Sequence, residues 1–219
     1  MPLLSRRFHS LFLLASVLLF FVATPFLENR QRGETFIVAC LFLTLVAATV
    51  QLSEKRRLFL WTIPLAGASI GLLWLAHVFH GRRLTAASNI SLIVFIGLVV
   101  ISLFIFLGKK GAIDRERIVV SVCLYFLIAL FWFAVYELTN VVHPDSFAEA
   151  GVTLTGNISP SKLLYFSLTS LTTLGFGDIV PVRPPARMFA SLEAASGVLY
   201  IAITVARLVA SYQSADRDE

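Results

Sequence analysis

The stretch "TTLGFGD", residues 172–178, places two glycines and an acid between long apolar runs of a chain that is 58% hydrophobic. A dehydrated cation inside a bilayer needs oxygen ligands, and backbone carbonyls supply them without adding a full charge. Successive carbonyls point the same way only where alternate residues are left-handed, which costs a non-glycine residue about 1 to 2 kcal/mol. Gly175 and Gly177 occupy alternate positions. The stretch therefore predicts a row of carbonyl ligands for a cation.

The composition around this stretch is that of a membrane protein. The 219 residues have a mean hydropathy of +0.84 and only 14% of them are charged, which is far too apolar for an ordinary soluble domain. A helix that crosses a bilayer needs about 20 apolar residues. Six runs approach that length, at residues 10–27, 35–52, 58–79, 86–107, 118–138 and 186–211.

A seventh apolar run, residues 163–174, is too short to cross a bilayer and suits a re-entrant helix. We therefore predict an all-α membrane protein with six transmembrane helices and one re-entrant helix.

Charges give the orientation. The net charge is +5, but Lys and Arg are scattered in short loops, which does not favour nucleic-acid binding. With the N-terminus inside, eleven of the eighteen Lys and Arg residues are cytoplasmic: Arg6, Arg7, Lys55, Arg56, Arg57, Lys109, Lys110, Arg115, Arg117, Arg207 and Arg217. We predict a multi-pass protein of the cell membrane with both termini in the cytoplasm. Alternatively, the first run is a cleaved signal peptide, which leaves five spans in the same orientation.

The charged linker at residues 108–117 is the sharpest change of composition along the chain. We predict a domain boundary there, between a four-span domain at 1–110 and a pore domain at 111–219. In the second domain, Ser159 and Pro160 suit the N-cap and first position of a short helix that stops near Thr172. The C-terminal end of that helix would carry about half a negative charge into the membrane. One chain supplies one row of ligands, so a closed ring requires an oligomer.

Several motifs in the second half resemble the tetrameric potassium channels. "SLTTLGFGD" at 170–178 is similar to their selectivity filter, whose usual form is TTVGYGD. "LYFSLTSL" at 164–171 resembles their pore helix, and "FAVYE" at 133–137 resembles the end of their outer helix. "LEAASGVLYIAITVARLV" at 192–209 is similar to the inner helices of small six-span prokaryotic channels.

The resemblance implies the architecture of voltage-gated channels, in which the re-entrant helix is the pore helix. It also implies a potassium filter whose coordinating carbonyls belong to Thr173, Leu174, Gly175 and Phe176. Thr173 would add its hydroxyl, and Gly177 and Asp178 would close the outer mouth. Two positions depart from the usual form, because Leu174 replaces valine and Phe176 replaces tyrosine. The second change removes a hydroxyl that normally ties the filter to its surrounding helices.

Two positions in the last span have alternative interpretations. Gly197 is either a hinge that lets the inner helix bend, as the resemblance suggests, or a small residue that allows close helix packing. Glu193 is an ionisable group in a span, which indicates a functional role. It either raises the cation concentration in a water-filled cavity or is a protonated or hydrogen-bonded group behind the filter. Candidate partners for the second role are Ser167, Thr169 and Ser170.

Glu137 ends the outer helix. The resemblance implies that it anchors the outer vestibule by hydrogen bonds to nearby backbone. The alternative is a solvated side chain at a helix end.

The fourth run lacks the arginines of a voltage sensor. Residues 86–107 carry no charge, and Arg82 and Arg83 are expected in the loop before them. A potential of 100 mV does about 2.3 kcal/mol of work per charge moved, so a helix without charges feels almost no force. We predict weak or no voltage dependence.

The prediction for function is a homotetrameric channel that conducts K⁺ passively, with K⁺ as the permeant ion, membrane lipids as partners and no cofactor. A nonselective cation channel is one alternative, and a non-conducting accessory or receptor-like membrane protein is another. An enzyme is not expected, because no serine, histidine and acid set, paired aspartates or metal cluster occurs on the spans.

Overall fold

A computed structural model describes the backbone at residues 2–27, 33–52, 56–79, 81–108, 115–156 and 158–215. It describes side chains at residues 9–27, 39–48, 63–76, 78–79, 81–108, 115–156 and 158–207. In chain order, the elements of these ranges are α1 (Pro2–Leu27), α2 (Gly33–Leu52), α3 (Arg56–Phe79), α4 (Arg82–Leu107), α5 (Arg115–Val142), β1 (Phe147–Glu149), β2 (Val152–Leu154), α6 (Pro160–Leu171), β3 (Ile179–Pro181) and α7 (Pro184–Ala215).

Four helices are long and apolar enough to cross a membrane, over His9–Leu27, Arg82–Leu107, Arg115–Val142 and Pro184–Arg207. They correspond to the predicted first, fourth, fifth and sixth spans. The second and third predicted runs are also helical, as α2 and α3. Their described apolar portions, Ala39–Ala48 and Ile63–Ala76, are too short to cross a bilayer on their own.

Helix α5 is the centre of the packing. It contacts α1, α4, α6 and α7. Its apolar side chains Leu124, Leu127 and Leu130 belong to one continuous buried cluster that runs from the first helix to the last. The rings of Phe20 on α1 and Phe133 on α5 meet edge to face, with centroids 6.1 Å apart. The first helix is therefore packed directly against the outer helix of the second half.

The prediction that the whole protein is helical was wrong for the polar stretch after α5. This stretch forms β1 and β2, which join β3 in a three-stranded antiparallel sheet in the order β2, β1, β3. Ala150 and Gly151 have φ angles of 47° and 80°, as the tight two-residue hairpin between β1 and β2 requires. The third strand directly follows the glycine motif, so the sheet connects that motif to the end of α5.

The prediction that Arg82 and Arg83 lie in a loop was also wrong, because both belong to the first turn of α4. Arg82 donates from Nε to the carbonyl oxygen of Val141 (2.9 Å) and from Nη2 to that of Val142 (3.0 Å). The last carbonyls of a helix lack partners within the helix and carry partial negative charge, so a guanidinium is a suitable cap. This contact ties the start of α4 to the end of α5.

The predicted domain boundary after residue 110 falls at 109–114, outside the described residues. The division into domains at 1–110 and 111–219 stays a prediction.

Candidate functional site

Helix α6 leads into the glycine motif and has the predicted limits. It begins at Pro160, with Ser159 at the N-cap, and its C-cap residue is Thr172. The Ser159 hydroxyl contacts the Ser161 hydroxyl at 2.9 Å instead of capping the backbone. Near the start of the helix, Lys162 forms an ion pair with Glu149 of β1. The sheet therefore holds one end of α6, and the motif follows the other.

The backbone of the motif alternates in the way that a row of carbonyls requires. Thr173, Gly175 and Gly177 have φ angles of 58°, 54° and 78°. Thr173 thus joins the two glycines in the left-handed region, at a cost of about 1 to 2 kcal/mol for a residue with a Cβ. A Cβ added to either glycine would meet no atom within 4 Å, so the backbone conformation, and not lack of space, demands glycine there.

Backbone hydrogen bonds fix this strand to α6. The amides of Leu174 and Gly175 both donate to the carbonyl oxygen of Thr169, at 2.9 and 3.2 Å, and the amide of Thr173 donates to that of Ser170 at 3.0 Å. These amides face α6, so the strand can present carbonyl oxygens on its opposite side. A dehydrated cation could bind that side.

An aromatic pair supports the outer part of the motif. The ring of Phe176 stacks on that of Tyr165, with centroids 6.3 Å apart and planes within 2°. The Asp178 side chain lies near the Tyr165 phenol. The stacked rings therefore join the outer part of the motif to α6. Tyr165 was not predicted, although an aromatic residue with a polar tip on α6 was a usable signal.

Glu193 lies between α5, α6 and α7 and is fully buried. Its Oε2 atom accepts a hydrogen bond from the Tyr136 hydroxyl at 2.5 Å, and its Oε1 atom lies 2.6 Å from Ser167 Oγ. Ser167 was among the candidate partners, whereas the Thr169 hydroxyl donates to the carbonyl of Phe166 instead. Tyr136 was missed, because sequence spacing does not reveal which helix packs behind an acid.

Gly197 follows Glu193 by one turn and faces the end of α6. A Cβ at Gly197 would lie 2.0 Å from the carbonyl oxygen of Leu171, far closer than packing allows. Next to it, Ser196 accepts a hydrogen bond from Trp132 at 3.2 Å. The structure therefore gives Gly197 a packing role, and the hinge stays a prediction.

The outer end of the motif is bound to the sheet and to the end of α5. The amide of Ala150 donates to the carbonyl oxygen of Asp178 at 3.1 Å. Arg183 makes a bidentate ion pair with Asp145, in which Nε donates to Oδ1 at 2.8 Å and Nη2 donates to Oδ2. The hydrogen bond from Arg183 holds the pKa of Asp145 below its ordinary value. Glu137 is half-buried on α5, after Tyr136. The prediction that Glu137 ends the outer helix was wrong, because α5 continues to Val142.

Comparison with known proteins found matches to the second half of the chain. Residues 118–214 match the family model described as "Ion channel". The chain is similar to the A-type voltage-gated potassium channel KCND3 of Rattus norvegicus, Oryctolagus cuniculus and Homo sapiens, with 33% identity over 66 residues in each. The match covers 30% of this chain and 10% of each relative, so the chain spans about a tenth of their length. No solved structure matches the chain.

These findings agree with the helices. The second half of the chain matches the ion-channel family model, and the described residues include four helices able to cross a membrane. The chain is a multi-pass membrane protein whose second half is similar to ion channels.

Proposed function

We propose that four copies of this chain form a passive potassium channel in which K⁺ binds the backbone carbonyls of Thr173, Leu174, Gly175 and Phe176. The observation that carries the proposal is the alternation of left-handed residues in a strand whose amides are bonded to Thr169. Carbonyls on the free side of that strand replace the hydration shell of the ion. The Thr173 hydroxyl is a further ligand below them. Gly177 and Asp178 form the outer mouth.

More than one chain is needed because one strand offers ligands on one side only, and the resemblance to tetrameric potassium channels implies four. Two apolar side chains of the motif also support assembly, since Leu174 is 58% exposed and Phe176 is 66% exposed in a single chain. Apolar groups beside an ion path are covered when neighbouring copies close a symmetric ring around it. Helix α7 likewise exposes Met188 and Leu199, which a neighbouring inner helix or lipid would contact.

The electrostatics of α6 favour a cation. The C-terminal end of the helix, at Leu171 and Thr172, immediately precedes the motif, and a helix end of this kind carries about half a negative charge. Four such ends around one axis stabilise a cation in the cavity without a fixed full charge.

We further propose that α2 and α3 are additional spans, so that the chain crosses the cell membrane six times and both termini are cytoplasmic. Residues 86–107 of α4 are uncharged, and Arg82 at its start is held on the carbonyls of α5. Gating charges are therefore missing from the middle of α4, and the voltage dependence of opening is weak.

The test is K⁺ flux through purified protein in liposomes, with Na⁺ substitution and barium block. The decisive variant is Gly175→Ala, and its control is Gly156→Ala in the loop after β2. Both glycines have positive φ, 54° and 87°, and neither Cβ would meet an atom within 4 Å. Each substitution therefore costs about 1 to 2 kcal/mol of backbone strain. We expect selective flux to be lost in the first variant and kept in the second.

The outcomes separate the alternatives. Equal K⁺ and Na⁺ flux identifies a nonselective cation channel, in which the strand with Phe176 relaxes. Absence of flux from a correctly assembled wild-type protein indicates an accessory or receptor-like protein. Native mass measurement of the detergent-solubilised protein checks the assembly, and a stoichiometry other than four contradicts the ring.

A further inference from the structure

Three close oxygen pairs are buried where α5, α6 and α7 meet. Tyr136 Oη lies 2.5 Å from Glu193 Oε2, Ser167 Oγ lies 2.6 Å from Glu193 Oε1, and Ser167 Oγ lies 2.8 Å from the carbonyl oxygen of Ala129. The side chains of Tyr136, Ser167 and Glu193 are all fully buried. Each pair needs one proton between its oxygens to be a hydrogen bond.

The hydroxyl protons of Tyr136 and Ser167 are too few to make hydrogen bonds in all three oxygen pairs. Tyrosine and serine each carry one hydroxyl proton, whereas a carbonyl oxygen and a carboxylate only accept. With Glu193 ionised, Ser167 can satisfy either Glu193 or Ala129, and the other oxygen pair is left without a proton. A proton on Oε1 of Glu193 completes all three: Glu193 donates to Ser167, Ser167 donates to Ala129, and Tyr136 donates to Oε2.

The surroundings of Glu193 do not compensate a negative charge. Glu193 forms no ion pair with any residue that the structure describes. On α5 the titratable groups around it are the phenols of Tyr136 and Tyr125, and Glu137 follows Tyr136. The Lys162 of α6 is paired with Glu149, and the Arg187 of α7 donates to the carbonyl of Pro181. An ionised carboxylate in this place would be buried without a counter-charge, which is strongly unfavourable.

We propose that Glu193 is a neutral carboxylic acid that donates a hydrogen bond to Ser167, that it positions the pore helix and the filter, and that its ionisation at alkaline pH abolishes conduction. The conduction part of this inference rests on the proposed channel function. The protonation part does not.

The path from Glu193 to the filter is short. Ser167 precedes Thr169 on α6 by two residues, and the carbonyl of Thr169 holds the amides of Leu174 and Gly175. A displacement of α6 at Ser167 therefore moves the anchor of the filter strand. One turn further along α7, Gly197 touches the carbonyl of Leu171, so the same face of α7 contacts α6 at two successive points. When Glu193 loses its proton, one of two oxygen pairs is left without a hydrogen bond, and its oxygens repel each other. This pair is either Glu193 with Ser167 or Ser167 with the carbonyl of Ala129.

Infrared spectroscopy of the full protein in liposomes tests the protonation directly. A protonated carboxylic acid has a carbonyl stretch separate from that of a carboxylate. An exposed glutamate has a pKa of about 4.3 and is ionised at neutral pH. We expect an acid band at neutral pH that disappears at alkaline pH and is missing from Glu193→Gln. The control Glu149→Gln removes an acid of the sheet and should leave the band intact.

A second variant tests the partner. Ser167→Ala removes the acceptor of the Glu193 proton, so the acid band should shift in frequency. A band that is unchanged in Ser167→Ala overturns the assignment of the donor. A wild-type spectrum at neutral pH without a band that depends on Glu193 overturns the whole inference.

Flux measurements test the switch. We expect wild-type K⁺ flux to fall at least about tenfold over the pH range in which the acid band disappears, as loss of a buried hydrogen bond implies. Glu193→Gln keeps a donor at every pH, because its amide is always protonated, and its flux should not respond to alkaline pH. Two results would contradict the proposed pH switch. One is a wild type that keeps its flux after the acid band has disappeared, and the other is a Glu193→Gln variant that loses flux over the same pH range as the wild type. If the wild type conducts at no pH, the channel proposal fails, while the band still decides the protonation state.

Discussion

The helices α1 to α4 and the elements from α5 to α7 use polar side chains in different ways. In the first region, the hydroxyls of Ser16, Thr24 and Ser88 bond to carbonyls of their own helices. In the second, polar side chains reach other elements, as Tyr136 does to Glu193, Trp132 to Ser196 and Tyr200 to the carbonyl of Ser121. A hydroxyl that bonds within its own helix places no condition on a neighbour, whereas a bond between helices fixes their relative position.

The two regions therefore differ in how firmly their elements are held in place. Apolar helices that pack by shape alone can shift slightly without losing a specific contact. In the proposed channel, the second region must hold the carbonyl ligands of the ion in fixed positions, and its polar contacts between elements would serve that purpose. A few contacts in the first region, such as that between Ser69 and Ser91 at 2.7 Å, also link helices, so the distinction is one of degree.

The strongest test of the comparison uses a glycine from each region. Gly197→Ala places a Cβ 2.0 Å from the Leu171 carbonyl, while Gly97→Ala in α4 places one at an ordinary 3.5 Å from the Phe131 ring. We expect Gly197→Ala to lower the free energy of unfolding by about 3 kcal/mol, through forced separation of α7 from α6. Gly97→Ala should change it by no more than about 1 kcal/mol.

Unfolding in detergent, followed by circular dichroism, measures both effects, and K⁺ flux shows whether the filter follows the change in packing. Equal effects of the two substitutions would remove the distinction between the regions.

A substitution at the contact between α4 and α5, where the two regions meet, should have a smaller effect on stability. Arg82→Gln removes the cap that α4 supplies to the last carbonyls of α5 and should lower stability by about 1 kcal/mol. Arg83→Gln is the matched control, because Arg83 is its exposed neighbour in the same turn. Thermal unfolding at low ionic strength compares the two. A loss that is the same for both variants would indicate a general effect of charge and not the cap.

The smallest expected effect is a pH dependence at the outer surface. The hydrogen bond from Arg183 lowers the pKa of Asp145 in the folded protein, so this pair stabilises the fold above the unfolded pKa of about 3.9. The stability is lost as pH falls through the lower, folded value. We expect melting temperatures of the wild type to decline in this acidic range more steeply than those of Asp145→Asn.

Arg183→Gln should give the same flattened profile as Asp145→Asn. A profile as steep as that of the wild type in either variant would show that other carboxylates govern acid unfolding.

Much of the fold could be predicted from the sequence. Hydropathy located all of the long helices, and Ser159, Pro160 and Thr172 gave the limits of α6 correctly. The left-handed glycines at 175 and 177 were also predicted, because only glycine adopts that conformation without cost. The sheet was missed, since its strands have three residues each and show no alternation of apolar and polar residues that could be distinguished from a loop.

The supporting contacts of the site were harder to predict. Arg82 was assigned to a loop, because arginines next to an apolar run usually mark its end, and the open carbonyls of α5 that attract it are remote in sequence. Tyr136 and Tyr165 were missed for a similar reason. Each is an ordinary aromatic residue in an apolar helix until the helix that carries Glu193, or the strand that carries Asp178, lies against it.

The sequence by itself determined where backbone must enter a membrane, where it must turn, and where it must be left-handed, because these are properties of single residues and their near neighbours. Tertiary structure alone decided which oxygens meet Glu193, how closely Gly197 approaches α6 and what caps α5. These contacts join residues that are 26 to 60 positions apart, and only the packing of whole helices brings such residues within hydrogen-bonding distance.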